Sequence, residues 1–132
     1  MSKRASTAII ALLISLGIAA SAFATMVPFA NQNISTAGVS LSSSMNAKFI
    51  CSTNGYFTIS VTSVKLEVKN SDGTWKSAGN LPAPASQKNT TGLNKTVDYS
   101  SYCTKNKTYR ITATFNAGSE SVTRTSSAVV YK

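Results

Sequence analysis

From Val39 onward, apolar residues recur at every second position, the spacing that lines one face of a pleated strand. Val39 and Leu41 open the series, Phe49 and Cys51 follow, and then come Phe57, Ile59 and Val61. Val64, Leu66 and Val68 alternate with Lys65, Glu67 and Lys69, which predicts a half-buried strand. Asn70-Ser71-Asp72-Gly73 supplies residues that tolerate left-handed backbone angles, and Thr74-Trp75-Lys76 resumes the strand pattern, so a hairpin is predicted. Tyr109, Ile111, Ala113 and Phe115 alternate with Arg110, Thr112 and Thr114 as a second one-faced strand. Asn116-Ala117-Gly118-Ser119 reads as a turn, and Val122 to Tyr131 as a long closing run of β type.

Between Ser77 and Lys95 the composition shifts to Gly, Asn, Pro, Ser and Thr, and Pro82 and Pro84 cannot donate into a central ladder. This stretch is expected to be the most loop-like of the chain. Val97 and Tyr99 fit a short strand leading into Tyr102-Cys103 and a turn at Lys105-Asn106-Lys107. Past the N-terminal segment no window keeps a helical period. Short strands divided by turn clusters predict an all-β domain, an antiparallel β-sandwich.

The first 24 residues have a different pattern. Lys3 and Arg4 precede an apolar run from Ala8 to Ala20, and Ala22-Phe23-Ala24 stands before Thr25. A basic start, an apolar stretch and an A-x-A site make a secretory signal peptide over residues 1–24. The competing reading, a membrane anchor, fits less well, because Ser15 and Gly17 break the run and a cleavage signal follows. No Cys ends the run, so the acylated cysteine of a lipoprotein is missing. Leu81-Pro82-Ala83-Pro84-Ala85 faintly suggests a wall-sorting signal, but no apolar tail or basic end follows, and it reads as a Pro-stiffened loop. The expected organisation is a signal peptide over 1–24, a loose arm over 25–36 and a sandwich domain over 37–132. The product is expected to be extracellular, with no stable membrane insertion after cleavage.

The 132-residue chain carries a formal charge of +9. Cleavage takes Lys3 and Arg4 and no acid, leaving +7. Lys outnumbers Arg, which favours diffuse attraction over forked recognition of phosphate or carboxylate. Anionic polymers and surfaces are the expected neighbours. The cations that alternate outward on strands or sit at a turn are Lys65, Lys69, Lys76, Lys105, Lys107, Arg110 and Arg124, and these are the candidate anion-binding residues. Against that stands a simpler role, in which scattered Lys keeps a Thr-rich β protein soluble and blunts its edges. Two cysteines in an exported chain, Cys51 and Cys103, predict one structural disulfide.

Catalysis is weighed by elimination. There is no His, and the four acids are Glu67, Asp72, Asp98 and Glu120. Glu67 alternates out of a strand, Asp72 and Glu120 sit at turns, and nothing in the sequence brings Asp98 and Glu120 together as a glycosidase pair. No calcium loop, zinc spacing, P-loop or dinucleotide fingerprint is present, so neither a metal nor a cofactor is expected. Asn33-Ile34-Ser35, Asn89-Thr90-Thr91, Asn94-Lys95-Thr96 and Asn106-Lys107-Thr108 fit the glycosylation rule and mark expected loops or turns.

Together, the strand Val64 to Val68, the hairpin into Trp75, the strand Tyr109-Arg110-Ile111, the Gly118-Ser119-Glu120 turn and the Ser-rich close at Tyr131 resemble small secreted β-sandwich proteins of Gram-positive bacteria. That group has no assigned biochemical function, and the resemblance spans about Gly38 to Lys132. A more distant similarity is to immunoglobulin-like and fibronectin type III domains, which implies an immunoglobulin-like architecture. The sequence departs from the immunoglobulin pattern in that Tyr102 directly precedes Cys103, one position from the expected site, and Trp75 follows the hairpin. The expected function is a secreted, non-catalytic binding module for anionic cell-envelope polymers, without nucleic acid as partner. The alternative is a cationic antimicrobial or toxin-like protein acting on membranes, and an enzyme with a nonstandard site ranks third.

Overall fold

A computed structural model describes residues 33–132, and the expected signal peptide and most of the expected arm lie outside them. The described chain is all-β. Seven strands form one antiparallel sheet: β1 (Ile34–Leu41), β2 (Asn46–Lys69), β3 (Trp75–Asn80), β4 (Gln87–Asp98), β5 (Thr108–Ala117), β6 (Glu120–Thr125) and β7 (Val129–Val130). The one helical element among the described residues is a 3₁₀ turn at Ser100–Tyr102. β1 takes in Ile34, Ser35 and Thr36, which the sequence pattern assigns to the arm, and Ile34 is fully buried.

The 24-residue strand β2 organises everything else, because its two halves have different neighbours. Its first half pairs with β1 (Val39 opposite Phe49) on one side and with β4 (Leu93 opposite Cys51) on the other. Its second half pairs with β5 (Ile111 opposite Leu66) and β3 (Trp75 opposite Lys69). The change falls near Asn54 to Thr58, where the register to β4 shifts and Thr53 Oγ donates to the Gly55 carbonyl at 2.7 Å. A second irregularity lies between Val61 and Ser63, where Thr62 is the extra residue. Such a bulge moves the apolar phase by one position. It explains why Phe57, Ile59 and Val61 are odd-numbered, Val64, Leu66 and Val68 are even-numbered, and both sets face the same core.

The alternation on β5 holds along its whole length, and Tyr109, Ile111, Ala113, Phe115 and Ala117 are all buried. Leu66 is buried as well, while Val68 is only half-buried at the end of its strand. Phe49 from the first half of β2 meets Phe115, opposite the second half, at 6.4 Å between ring centroids, and meets Tyr99 edge-on at the same distance. The core is therefore assembled from both halves of β2. At one end, the Glu120 carboxylate accepts the backbone N–H groups of Asn33 and Ile34, each at 3.0 Å. Gly118 turns the chain there with φ +61°, and a Cβ would lie 2.9 Å from Asn33 Nδ2. A two-residue hairpin with positive φ at its first position requires this glycine.

The structure corrects three further expectations about the fold. First, Cys51 and Cys103 are not bonded. Cys51 is buried in mid-ladder between Ala37 and Leu93, five residues along β2 from Asn46, whose partner Asp98 ends β4 just before the 3₁₀ turn. Five rungs of about 3.3 Å separate the two regions, whereas a bridge needs Cα atoms within about 7 Å. Second, the supposed loop from Ser77 to Lys95 is mostly strand. β3 continues to Asn80 and β4 begins at Gln87, so that Asn89 and Asn94 lie on β4 and the break is confined to 81–86. Third, the closing run is divided. Ser126 is buried, its hydroxyl accepts the Ile111 N–H at 2.9 Å, and its own N–H donates to the Ile111 carbonyl, which separates β6 from β7.

Burial pushes the Cys51 thiol up to about 11 and the Cys103 thiol upward as well. In urea without reductant, two thiols per chain are expected to alkylate. In the folded protein at pH 8, the half-buried Cys103 should react first and Cys51 only on unfolding. Because the folded Cys51 keeps its proton more tightly than the unfolded thiol, its contribution to stability is complete below about pH 9 and is lost as the pH rises through about 11. Tyr99, pushed up to about 12 by burial and then by Tyr102, acts in the same direction at higher pH. A urea midpoint that stays constant from pH 8 to 11 would contradict this linkage.

Candidate anion-binding groove

Two turns bring distant parts of the chain to the same end of the molecule. In the β2–β3 hairpin, Asp72 accepts the Thr74 N–H at 2.9 Å and the Thr74 hydroxyl at 2.6 Å, while Asn70 Nδ2 donates to Thr74 Oγ1 at 2.9 Å. Those bonds from Thr74, side chain first and then backbone, hold the Asp72 carboxyl below its ordinary range. Gly73, at φ +89°, completes the reversal. The second turn precedes β5, and Asn106 adopts φ +66°. Its N–H donates to the Tyr131 carbonyl at 2.8 Å, and the Tyr131 N–H donates to the Lys107 carbonyl at 2.9 Å. The Lys105 ammonium lies 5.7 Å from the Tyr131 ring centroid, within cation–π range.

Between the two turns lies a groove of about 380 Å³. Lys69, Lys76 and Lys107 line it together with the neutral Asn70, Ser71 and Asn106, and no acidic side chain does. Of the seven candidate cations, these three come together, with Lys105 on the same turn as Lys107.

The other three candidates are placed elsewhere. Lys65 borders a different groove, of about 510 Å³, together with Glu67, Ser77 and Thr112. Arg110 binds Glu67 through two contacts, Nε to Oε1 at 3.0 Å and Nη2 to Oε2 at 3.3 Å, and its guanidinium lies 4.2 Å from the Trp75 ring centroid. Arg124 does not point outward as the sequence pattern suggests. The register sets it opposite the buried Ala113, in the same phase as Val122, which is opposite Phe115. Burial there lowers the basicity of its guanidinium, which donates to the Thr123 carbonyl at 2.8 Å.

Each acid in the described chain has a local partner. Glu67 pairs with Arg110, Asp72 holds its turn, Asp98 accepts the Ser100 N–H at 2.8 Å, and Glu120 anchors β1. Asp98 lies opposite Asn46, whereas Glu120 binds next to the rung of Thr53, so about 23 Å of strand separates the two carboxylates. Among the described residues, no group of three or more His, Cys, Asp or Glu side chains could hold a metal ion, and no helix is long and apolar enough to cross a membrane.

Tyr131 and Lys132 were not anticipated as part of this end of the molecule. Lys132 donates its N–H to the Ser43 carbonyl at 3.0 Å, so the C-terminal residues tie the β1–β2 turn to the Lys107 turn. A terminal Tyr-Lys in a run of β type carries no local signal for such a contact. Comparison with protein-family models, with curated proteins and with solved structures finds no match.

Proposed function

We propose that this chain is a secreted, non-catalytic binding module that holds anionic polymers of the cell envelope in the groove at its lysine-rich end. Its architecture in this reading is an antiparallel, immunoglobulin-like sandwich, akin to the small secreted Gram-positive proteins that it resembles. The sandwich is supported by a β2 strand that serves two sets of neighbours and by the Phe49–Phe115 contact across the core. One observation carries the function: Lys69, Lys76 and Lys107, from three separate segments, line one groove that no carboxylate enters. A lining that carries cations and no carboxylate attracts an anionic ligand.

Binding of this kind is sensitive to salt, since the screening length falls from about 10 Å at 0.1 M to about 3 Å at 1 M. Retention on anionic cell-wall material is expected to drop steeply over that range. Reversal of Lys69, Lys76 and Lys107 to Glu together should abolish it at 0.1 M, while Lys65→Glu should weaken it far less. Retention that ignores salt, or that survives the triple reversal, would remove the reading. Dye release from anionic vesicles at low protein concentration would replace it with membrane attack.

A further inference from the structure

We infer that Lys95 guards the open edge of β4, and that the pairing it prevents is with β4 of a second copy of this chain. The edge itself is well formed. β4 pairs with β2 alone, and its rungs run without a break from Asn46 opposite Asp98 to Ser52 opposite Gly92. Just beyond that ladder the Tyr99 N–H donates to the Met45 carbonyl at 2.9 Å, so the next rung is a hydrogen-bonded one. Alternation then directs the backbone groups of Val97, Lys95 and Leu93 toward β2 and those of Thr96, Asn94 and Gly92 away from it. Gly92 agrees with this phase, because the Thr90 hydroxyl takes its N–H at 3.2 Å and donates to its carbonyl at 2.9 Å. The outward N–H and C=O groups of Asn94 and Thr96 are left as a template for another strand. β3, which also pairs with β2 alone, is broken as a template: its register shifts between Ser77 and Gly79, Gly79 stands at φ +111°, and the Gly79 N–H donates to Ser77 Oγ at 3.4 Å.

The side chains of Leu93, Lys95 and Val97 share the core face, opposite Cys51, Phe49 and Ala47, and Leu93 and Val97 pack there. Lys95 is half-buried between them, a cation in the middle of an apolar row and opposite a fully buried ring. No carboxylate among the described residues pairs with it. Its stem lies along the edge only while its ammonium reaches water past β4. A strand added there closes that exit. The register that matches Asn94 of each copy with Thr96 of the other sets the two Lys95 residues directly opposite, as a non-hydrogen-bonded pair with Cα atoms about 4.5 Å apart. The same register sets Leu93 against Val97, a favourable apolar match. Two like charges, covered and facing each other, are therefore what opposes the pairing.

The test is sedimentation equilibrium of the purified chain and its variants from about 10 μM to about 0.5 mM. The wild-type chain is expected to stay monomeric. Lys95→Val should dimerise at least about a hundredfold more tightly, with a far-ultraviolet circular dichroism still of β type. Lys95→Thr, also uncharged but smaller, gives a second variant on which the same outcome is read. Lys48→Val removes the same charge from the exposed residue opposite Thr96 and should remain monomeric. Thr96→Pro deletes an outward N–H that the ladder to β2 does not use, so Lys95→Val combined with Thr96→Pro should return to the monomer.

A dimeric wild type, or monomeric Lys95→Val and Lys95→Thr, would overturn the inference. Equal association by Lys48→Val would assign the effect to net charge and overturn the role of position 95. Association of Lys95→Val that Thr96→Pro does not reverse would place the contact away from the β4 edge and overturn it as well.

Discussion

Phe49→Ala is expected to cost about 3 to 5 kcal/mol, the range for emptying a large aromatic site in a packed core. Phe49 is fully buried on the first half of β2, and its ring meets both Tyr99 and Phe115. Tyr99 holds the exit from β4, with its hydroxyl donating to the Pro82 carbonyl, while Phe115 belongs to β5. Removing one ring therefore loosens contacts among β2, β5 and the residue that follows β4, which come from distant parts of the chain. Urea unfolding followed by tryptophan fluorescence and by far-ultraviolet circular dichroism checks this. Both signals should move to a lower midpoint together, since Trp75 reports on the second half of β2 and the backbone signal on the whole sheet. A loss below about 1 kcal/mol would show that Phe49 does not join the two halves.

The second large effect is expected one position away from a small one. Ile111→Ala should cost about 2 to 5 kcal/mol, whereas Thr112→Ala should stay near 0.5 kcal/mol. Ile111 is fully buried opposite Leu66, and its backbone makes both bonds to Ser126. Thr112 lies on the outer face, where its hydroxyl meets that of Thr125 at 2.9 Å. A change in shape at position 111 leaves a cavity that the ladder on either side prevents from collapsing, while position 112 loses one exchangeable contact. Equal midpoints for the two variants would mean that the strand phase is inverted.

The β2–β3 hairpin and β5 were legible in the sequence because each buries one face and wets the other, and because Asn70 to Gly73 carries its own turn chemistry. Most of β4 was not legible. Its end was, since Val97 lies on it as the sequence pattern suggests, but over 87–96 it pairs only with β2, buries Leu93 and otherwise is Lys, Asn, Thr, Gln and Gly, so little alternation of polarity marks that part. Arg124 was misplaced for a related reason. A charged side chain suggests solvent, but the register of β6 against β5 is set by the Gly118 turn, and counting from Ala117 opposite Glu120 puts Arg124 opposite Ala113. The cysteine count could suggest a bridge, yet whether two thiols meet depends on which rung each occupies, and that is a tertiary property. For the candidate site, composition identified the lysines but not their grouping. Lys69 and Lys107 meet because β2 and β5 pair from Val68 opposite Tyr109 onward, a match made across the whole intervening chain.

Asn33 leads into β1 beside Thr53 and Glu120, while Lys132 finishes against Ser43, at the opposite end of an eight-residue strand about 25 Å long. Orientation follows from that arrangement. A reporter or surface tether joined ahead of Asn33 leaves the protein with its lysines facing outward, free to meet a large ligand. The same attachment after Lys132 would sit beside the Tyr131 contacts to Asn106 and Lys107 and crowd the groove. Immobilised the first way round, the protein keeps its binding end accessible; the other way round, an intact domain could be mistaken for an inert one.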